Sequence, residues 1–191
     1  MRRASVKWAI PFERGSELGW FQAFAATVTL VLRTPSVLWE RDVFRGRMGP
    51  SLMYALIVES AAFVWVGLAP LALSPGRLAA GIAWAAFVAV AVASCVVFFA
   101  AGATQVVLWA FGAARLPTEQ TLRLRAYAAT PYILGLVPFG TLVAIPWAFV
   151  LEAKVLARAH NCSAPVAWLA ALAPRALDVL VIAYFVLTAR R

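Results

Sequence analysis

The chain has 191 residues, of which 64% are hydrophobic and 13% charged, with a mean hydropathy of +0.86 and a formal net charge of +9. Soluble domains carry roughly a quarter charged residues, so this composition cannot build a water-facing surface and implies lipid as its solvent. The positive charge does not mark a nucleic-acid surface, because eight of the seventeen Lys and Arg precede the first long apolar run and most others sit in short loops between runs. Basic residues so placed hold cytoplasmic loops against an anionic leaflet.

The start, Met1-Arg2-Arg3, runs into Lys7, Glu13, Arg14 and Glu17 instead of an apolar segment. No cleavable targeting peptide is read there, and the N-terminus is expected inside. Residues 1–14 read as an extended polar lead, and Gly15-Ser16-Glu17 supplies a turn, a cap and a first-turn acid. The apolar run Leu18–Leu32 has 15 residues, short of the ~20 that cross a ~30 Å hydrocarbon core. It has an apolar stripe (Leu18, Phe21, Ala25, Val28, Leu32) and a weaker polar one (Gln22, Ala26, Thr29, Arg33). The expectation is an interfacial helix over about 16–33 with Trp20 at headgroup level. Thr34-Pro35 opens a second short helix, about 35–46, carrying Val37, Leu38, Trp39 and Phe44 beside Glu40, Arg41 and Asp42. Gly49-Pro50 closes this cytoplasmic N-terminal segment, 1–49.

Residues 50–191 read as one transmembrane domain. The first span, about 52–73, contains Glu59 and Pro70, and Ser74-Pro75-Gly76 makes the outer turn. The second, about 78–113, is too long for one bilayer crossing and must tilt, break near Gly102 or project. Gly81, Ala85, Ala89 and Ala93 form either a close-packing ridge or a chance alanine spacing. Residues 118–160 suit either one Pro-bent span near 126–151 or two spans, about 120–137 and 140–160, reversing at Val137-Pro138-Phe139-Gly140. Two are preferred because the segment is far longer than one crossing needs. The last span is about 163–189. Five spans with the N-terminus inside leave Arg77, Arg190 and Arg191 outside and Arg175 within the membrane, with all other basic residues on cytoplasmic segments. A four-span arrangement satisfies the positive-inside rule equally well. The fold class is an all-α membrane protein, a five-helix bundle preceded by one or two interfacial helices.

Three blocks of the chain resemble the bacterial branch of the Yip-domain family, whose eukaryotic relatives are membrane partners of Rab GTPases. The first is Ile10-Pro11-Phe12-Glu13-Arg14 with Leu18-Gly19, Thr27 and Leu32 through Pro35. The second is Arg123-Leu124-Arg125-Ala126-Tyr127-Ala128 with Pro131. The third is Val137-Pro138-Phe139-Gly140, continuing to Trp147 and His160. The resemblance covers most of residues 10–189 and implies five spans, a cytoplasmic N-terminus and an outer C-terminus. The Asp-Leu-Tyr-Gly-Pro signature of the eukaryotic members is missing, with only Gly49-Pro50 near its place, so Rab binding is not implied.

No catalytic constellation, cofactor motif or metal-ligand set is read from the chain. His160 is the single histidine and reads as a polar loop end; beside it, Cys162 would supply only a second ligand where a structural zinc site takes four. No disulfide is expected between Cys95 and Cys162, which differ in membrane depth. Asn161-Cys162-Ser163 fits a glycosylation acceptor only formally, since its loop is expected in the cytoplasm. The informative residues are ionisable groups at membrane depth, each costing ~2.5–3.5 kcal/mol at a helix centre on insertion scales. Glu59, Arg175 and Asp178 form one expected cluster, in which Arg175 is neutralised by Asp178 and Glu59. Arg125 and Glu152 form a second expected pair. The functional expectation is a non-enzymatic inner-membrane scaffold or interaction protein, with a small transporter or lipid-handling protein as the alternative. Its partners are expected to be the bilayer, anionic headgroups at the cytoplasmic face, and a protein or second copy meeting its helices.

Overall fold

Proline and glycine set most of the helix boundaries. The computed structural model describes residues 10–14, 19–39, 48–68, 78–137 and 139–188, and these hold six α-helices, three 3-10 helices and no strand. A 3-10 turn, Pro11–Arg14, precedes α1, Trp20–Arg33, and a second, Pro35–Trp39, follows it. Next come α2, Met48–Leu68, and α3, Leu78–Ala110. Helix α4, Thr118–Ala128, continues as a third 3-10 helix, Thr130–Leu136. Helices α5, Gly140–Ala159, and α6, Ala164–Thr188, complete the chain.

Helix α3 runs unbroken through Gly102 over 33 residues, ~50 Å at 1.5 Å per residue. It ends where Gly112 takes φ +62° and the Ala113 amide bonds back to the Leu108 carbonyl, a left-handed cap that glycine adopts without steric cost. Asn161, at φ +49°, closes α5 in the same way, with the Cys162 amide on the Ala157 carbonyl.

The expected third span, 120–137, is divided. Pro131 has no amide hydrogen and would clash with the Tyr127 carbonyl in a continuing α-helix; that carbonyl instead accepts the Thr130 hydroxyl, and the chain tightens to 3-10. Two helical stretches, ending at Leu136 and beginning at Gly140, flank the expected reversal, and of the two expected spans there only the second coincides with a segment long and apolar enough to cross a membrane, Gly140–Ala159. The pairs Thr121–His160 and Arg125–Glu152 then run in opposite chain directions, so α4 and α5 are antiparallel.

Of the expected extended lead, residues 10–14 are described, and they join the core in a 3-10 turn. Ile10 and Phe12 are buried with Tyr54, Tyr127, Leu124, Val37 and Leu38, and the Phe12 amide donates to Thr27 Oγ1 at 2.9 Å. Helix α1 has three faces. Ala23, Thr27 and Val31 dock on the bundle; Phe21 and Ala25 stay exposed on the apolar stripe; Gln22, Ala26, Thr29 and Arg33 expose the polar one. The docked line of small residues was invisible as a stripe because alanine and threonine are weak hydrophobic signals. The expected second interfacial helix, 35–46, is described only as Pro35–Trp39; the rest lies outside the described residues.

Helices α2 and α3 pack together most extensively, and α3 also packs along α6. Ala93, the one ridge residue whose side chain is described, is fully buried. Polarity is inverted relative to a soluble fold. Phe98, Phe99, Val106 and Trp109 on α3 and Leu142 and Val143 on α5 are exposed, while Glu59, Arg123, Arg125 and Glu152 are buried. Two segments, Val90–Ala110 and Gly140–Ala159, are long and apolar enough to cross a membrane. An apolar exterior over a charged interior is the arrangement that lipid stabilises.

Candidate functional site: two buried polar clusters

The first cluster joins the N-terminal segment to the bundle. The 3-10 turn at Pro11 places Glu13 over the start of α2, where the Ser51 hydroxyl donates to Glu13 Oε1 at 2.9 Å. The Tyr127 hydroxyl, from α4, lies 3.2 Å from the same oxygen and 3.3 Å from Ser51 Oγ. Burial raises the Glu13 carboxyl above its ordinary range, outweighing the Ser51 and Tyr127 hydrogen bonds and the attraction of Arg123. Arg123 is itself buried and pairs with exposed Glu119 one turn earlier at 2.9 Å. Beneath the carboxylate, the Phe12 ring meets Tyr54 edge-on at 5.4 Å, and the Tyr54 hydroxyl pairs with Thr130 Oγ1 at 2.9 Å.

The second cluster lies between α4, α5 and α6, with α3 supplying its hydrogen bonds. Arg125 Nη1 donates to the Ala100 carbonyl at 2.8 Å and to Thr104 Oγ1 at 2.6 Å. Both Nη1 hydrogens are thereby used, and its 3.0 Å approach to Glu152 Oε1 is an ion contact without hydrogen-bond alignment. The other Glu152 oxygen accepts Arg175 Nη2 at 3.4 Å. The Arg175 guanidinium sits 5.2 Å over the Tyr132 ring, a cation–π arrangement. The Thr104 hydroxyl donates in turn to the Ala170 carbonyl at 3.1 Å, tying α3 to α6. Glu59 is buried on α2 and lines a small cavity with Arg125, Ala55 and Leu122. Arg175, Glu59, Glu152 and Arg125 all act electrostatically on the Tyr132 hydroxyl.

The Arg125–Glu152 pair is therefore present, and Arg175 joins it through Glu152, so the two groups expected separately share one carboxylate. The Asp178 side chain lies outside the described residues, as do that of Arg14 and the whole of Pro138. Three positions that carry the Yip resemblance, Glu13, Arg123 and Tyr127, fall in the first cluster. Pro11 begins the turn that carries Glu13. Gly140 lies at the reversal, where an added Cβ would sit 1.9 Å from the Leu134 carbonyl oxygen. Sequence reasoning missed Ser51, Tyr54, Thr104 and Thr130, hydroxyls that carry no pattern of their own. Among the described residues no group of His, Cys, Asp and Glu is placed to hold a metal, and both cysteines are free. What the two clusters do is cross-link five helices and an N-terminal strap through buried charge and hydroxyls. No family model, curated protein or solved structure matches the chain.

Proposed function

We propose that this chain is a multi-pass bacterial inner-membrane protein of the Yip-domain type, acting as a non-enzymatic scaffold that presents its N-terminal helix to a partner. In this reading it has five spans, a cytoplasmic N-terminus and an outer C-terminus. The observation that carries it is the convergence of Glu13, Ser51 and Tyr127. These residues strap the N-terminal segment to the bundle, so α1 is held in one orientation with Trp20 and Phe21 50% and 74% exposed. A helix fixed on one side and left apolar on another is suited to meeting a lipid surface or a second protein.

Removing residues 1–48 is a poor test, because Ile10, Phe12, Val31 and Leu38 belong to the core. A point substitution on the exposed face serves better. Phe21→Glu should abolish recovery of a stoichiometric partner in mild detergent while leaving the melting transition unchanged. An unaltered partner profile with Phe21→Glu would remove the scaffold reading. A reporter fused after Arg191 should face outward, and a cytoplasmic reporter would restore four spans.

The sharing of Glu152 by two arginines supports a second reading, in which the buried charges form an ion or headgroup path. Substitutions at Glu152 that preserve the fold should then alter transport or lipid exchange in liposomes. The scaffold reading expects them to alter stability alone.

A further inference from the structure

His160, at the loop end after α5, is fully buried. It follows α5 directly, and its Nδ1 faces two backbone donors, the amides of Arg115 at 3.2 Å and Leu116 at 3.4 Å. An Nδ1 that accepts carries no proton, so the ring proton is on Nε2, 3.1 Å from Thr121 Oγ1. The Thr121 hydroxyl in turn reaches the Pro117 carbonyl at 3.5 Å, and Gln105 Nε2 donates to the Leu116 carbonyl at 3.3 Å. One neutral imidazole thus holds the loop from Ala113 to Pro117 between α3 and α4.

We infer that His160 is a proton-operated latch on this loop. A proton added at Nδ1 turns an acceptor into a donor that points at two other donors, and the Arg115 and Leu116 amides lose their partner at once. The loop therefore has two states: gripped at the 115 and 116 amides while the ring is neutral, and released there once it is charged. Among the described residues no ion pair to the ring competes. Of the ionisable groups on the elements packed around the ring, Arg115, Glu119, Lys154 and Arg158 are exposed, and Arg123 is engaged by Glu119. Cys162 turns its Sγ to the Leu156 carbonyl. Burial lowers the ring's proton affinity, so the latch is closed at neutral pH and opens on the acid side of ordinary histidine titration. Opening frees a segment that carries the exposed side chain of Arg115.

His160 is the single histidine in the chain, so ring nitrogen NMR on the full protein in micelles, labelled at histidine, reads it without ambiguity. The expected result is an Nε2-protonated tautomer at neutral pH. As the ring protonates, exchange protection of the Arg115 and Leu116 amides, corrected for intrinsic rate, should fall by about tenfold, while α5 amides keep theirs. His160→Gln, whose amide oxygen accepts at every pH, should hold the loop with no pH dependence. An Nδ1-protonated tautomer at neutral pH overturns the latch. So does loop protection that stays constant while the ring titrates, or a ring that stays neutral until the whole chain unfolds. The wild-type titration decides the matter even if the glutamine variant fails to fold.

Discussion

The Tyr127 hydroxyl lies 3.2 Å from a Glu13 carboxylate oxygen, across 114 positions of sequence. This contact converts a polar lead into a strap, and it bears on how the N-terminal segment behaves in each experiment below.

Tyr127→Phe keeps the ring that packs on Tyr54, with centroids 5.0 Å apart, and deletes only the hydroxyl. The loss should be about 1.5–3 kcal/mol, the usual worth of a hydrogen bond to a charged group, read as a lowered unfolding midpoint in detergent. Ser51→Ala should cost a similar amount. Added to Glu13→Gln, each should cost less than alone, because all three groups form one network. Additive losses would mean that the strap is held by Phe12 packing alone.

The Glu13 carboxyl sits above its ordinary value of 4.5 because burial outweighs its donors. An acid with a raised folded pKa binds its proton more tightly when folded. Its contribution is fully present below the unfolded value and is lost as pH rises through the folded one. Melting temperatures of wild type minus Glu13→Gln should therefore fall across mildly acidic pH and level off above it. A difference that climbs with pH would show that the hydrogen bonds and Arg123 outweigh burial.

A helix-period reading captured the large elements well. The all-α class, the reversal near Val137–Gly140 and the Arg125–Glu152 pair were legible because long apolar runs, Pro-Phe-Gly punctuation and charges in apolar surroundings are strong signals. The strap was not. Ile10 and Phe12 stand among basic residues, and Thr27 reads as a surface residue until Phe12 N–H is found on it. Arg175 on Glu152 was missed for a related reason, since residue counting gives depth along a helix but not which face meets which neighbour. His160 was read as polar because one histidine has no periodicity; its role appears only once the loop from Ala113 is folded against it.

Gly140 and Gly102 make opposite predictions. A methyl at Gly140 would fall 1.9 Å from the Leu134 carbonyl oxygen, a backbone atom held by the preceding 3-10 helix, whereas nothing lies near one at Gly102. Gly140→Ala should destabilise by about 2–3 kcal/mol or more, in the range of overpacking at a rigid site. Gly102→Ala should be neutral or stabilising by up to about 1 kcal/mol, since alanine favours the helix. Equal effects at the two sites would place the reversal elsewhere.

Arg125 and Arg175 share Glu152 but should not be equally costly to lose. Arg125 is 7% exposed and satisfies the Ala100 carbonyl and the Thr104 hydroxyl besides its carboxylate. Arg175 is 16% exposed and has a longer contact to Glu152, supported by the Tyr132 face. Arg125→Leu leaves two acceptors short of a donor and should cost about 3–5 kcal/mol, the cost of breaking a buried pair. Arg175→Leu leaves Glu152 still in contact with Arg125, and should cost about 1–2 kcal/mol, near the upper end of polar couplings measured within membranes. Glu152→Gln removes the one carboxylate that both guanidinium groups contact and should be the worst of the three. Combining it with Arg175→Leu should recover part of that loss, because one of the two positive charges that faced the lost carboxylate is gone. Unfolding midpoints in detergent for the four variants give the order directly. If Arg175→Leu proves as damaging as Arg125→Leu, Glu152 is not the hub, and the charge that holds α6 to the bundle must come from another residue.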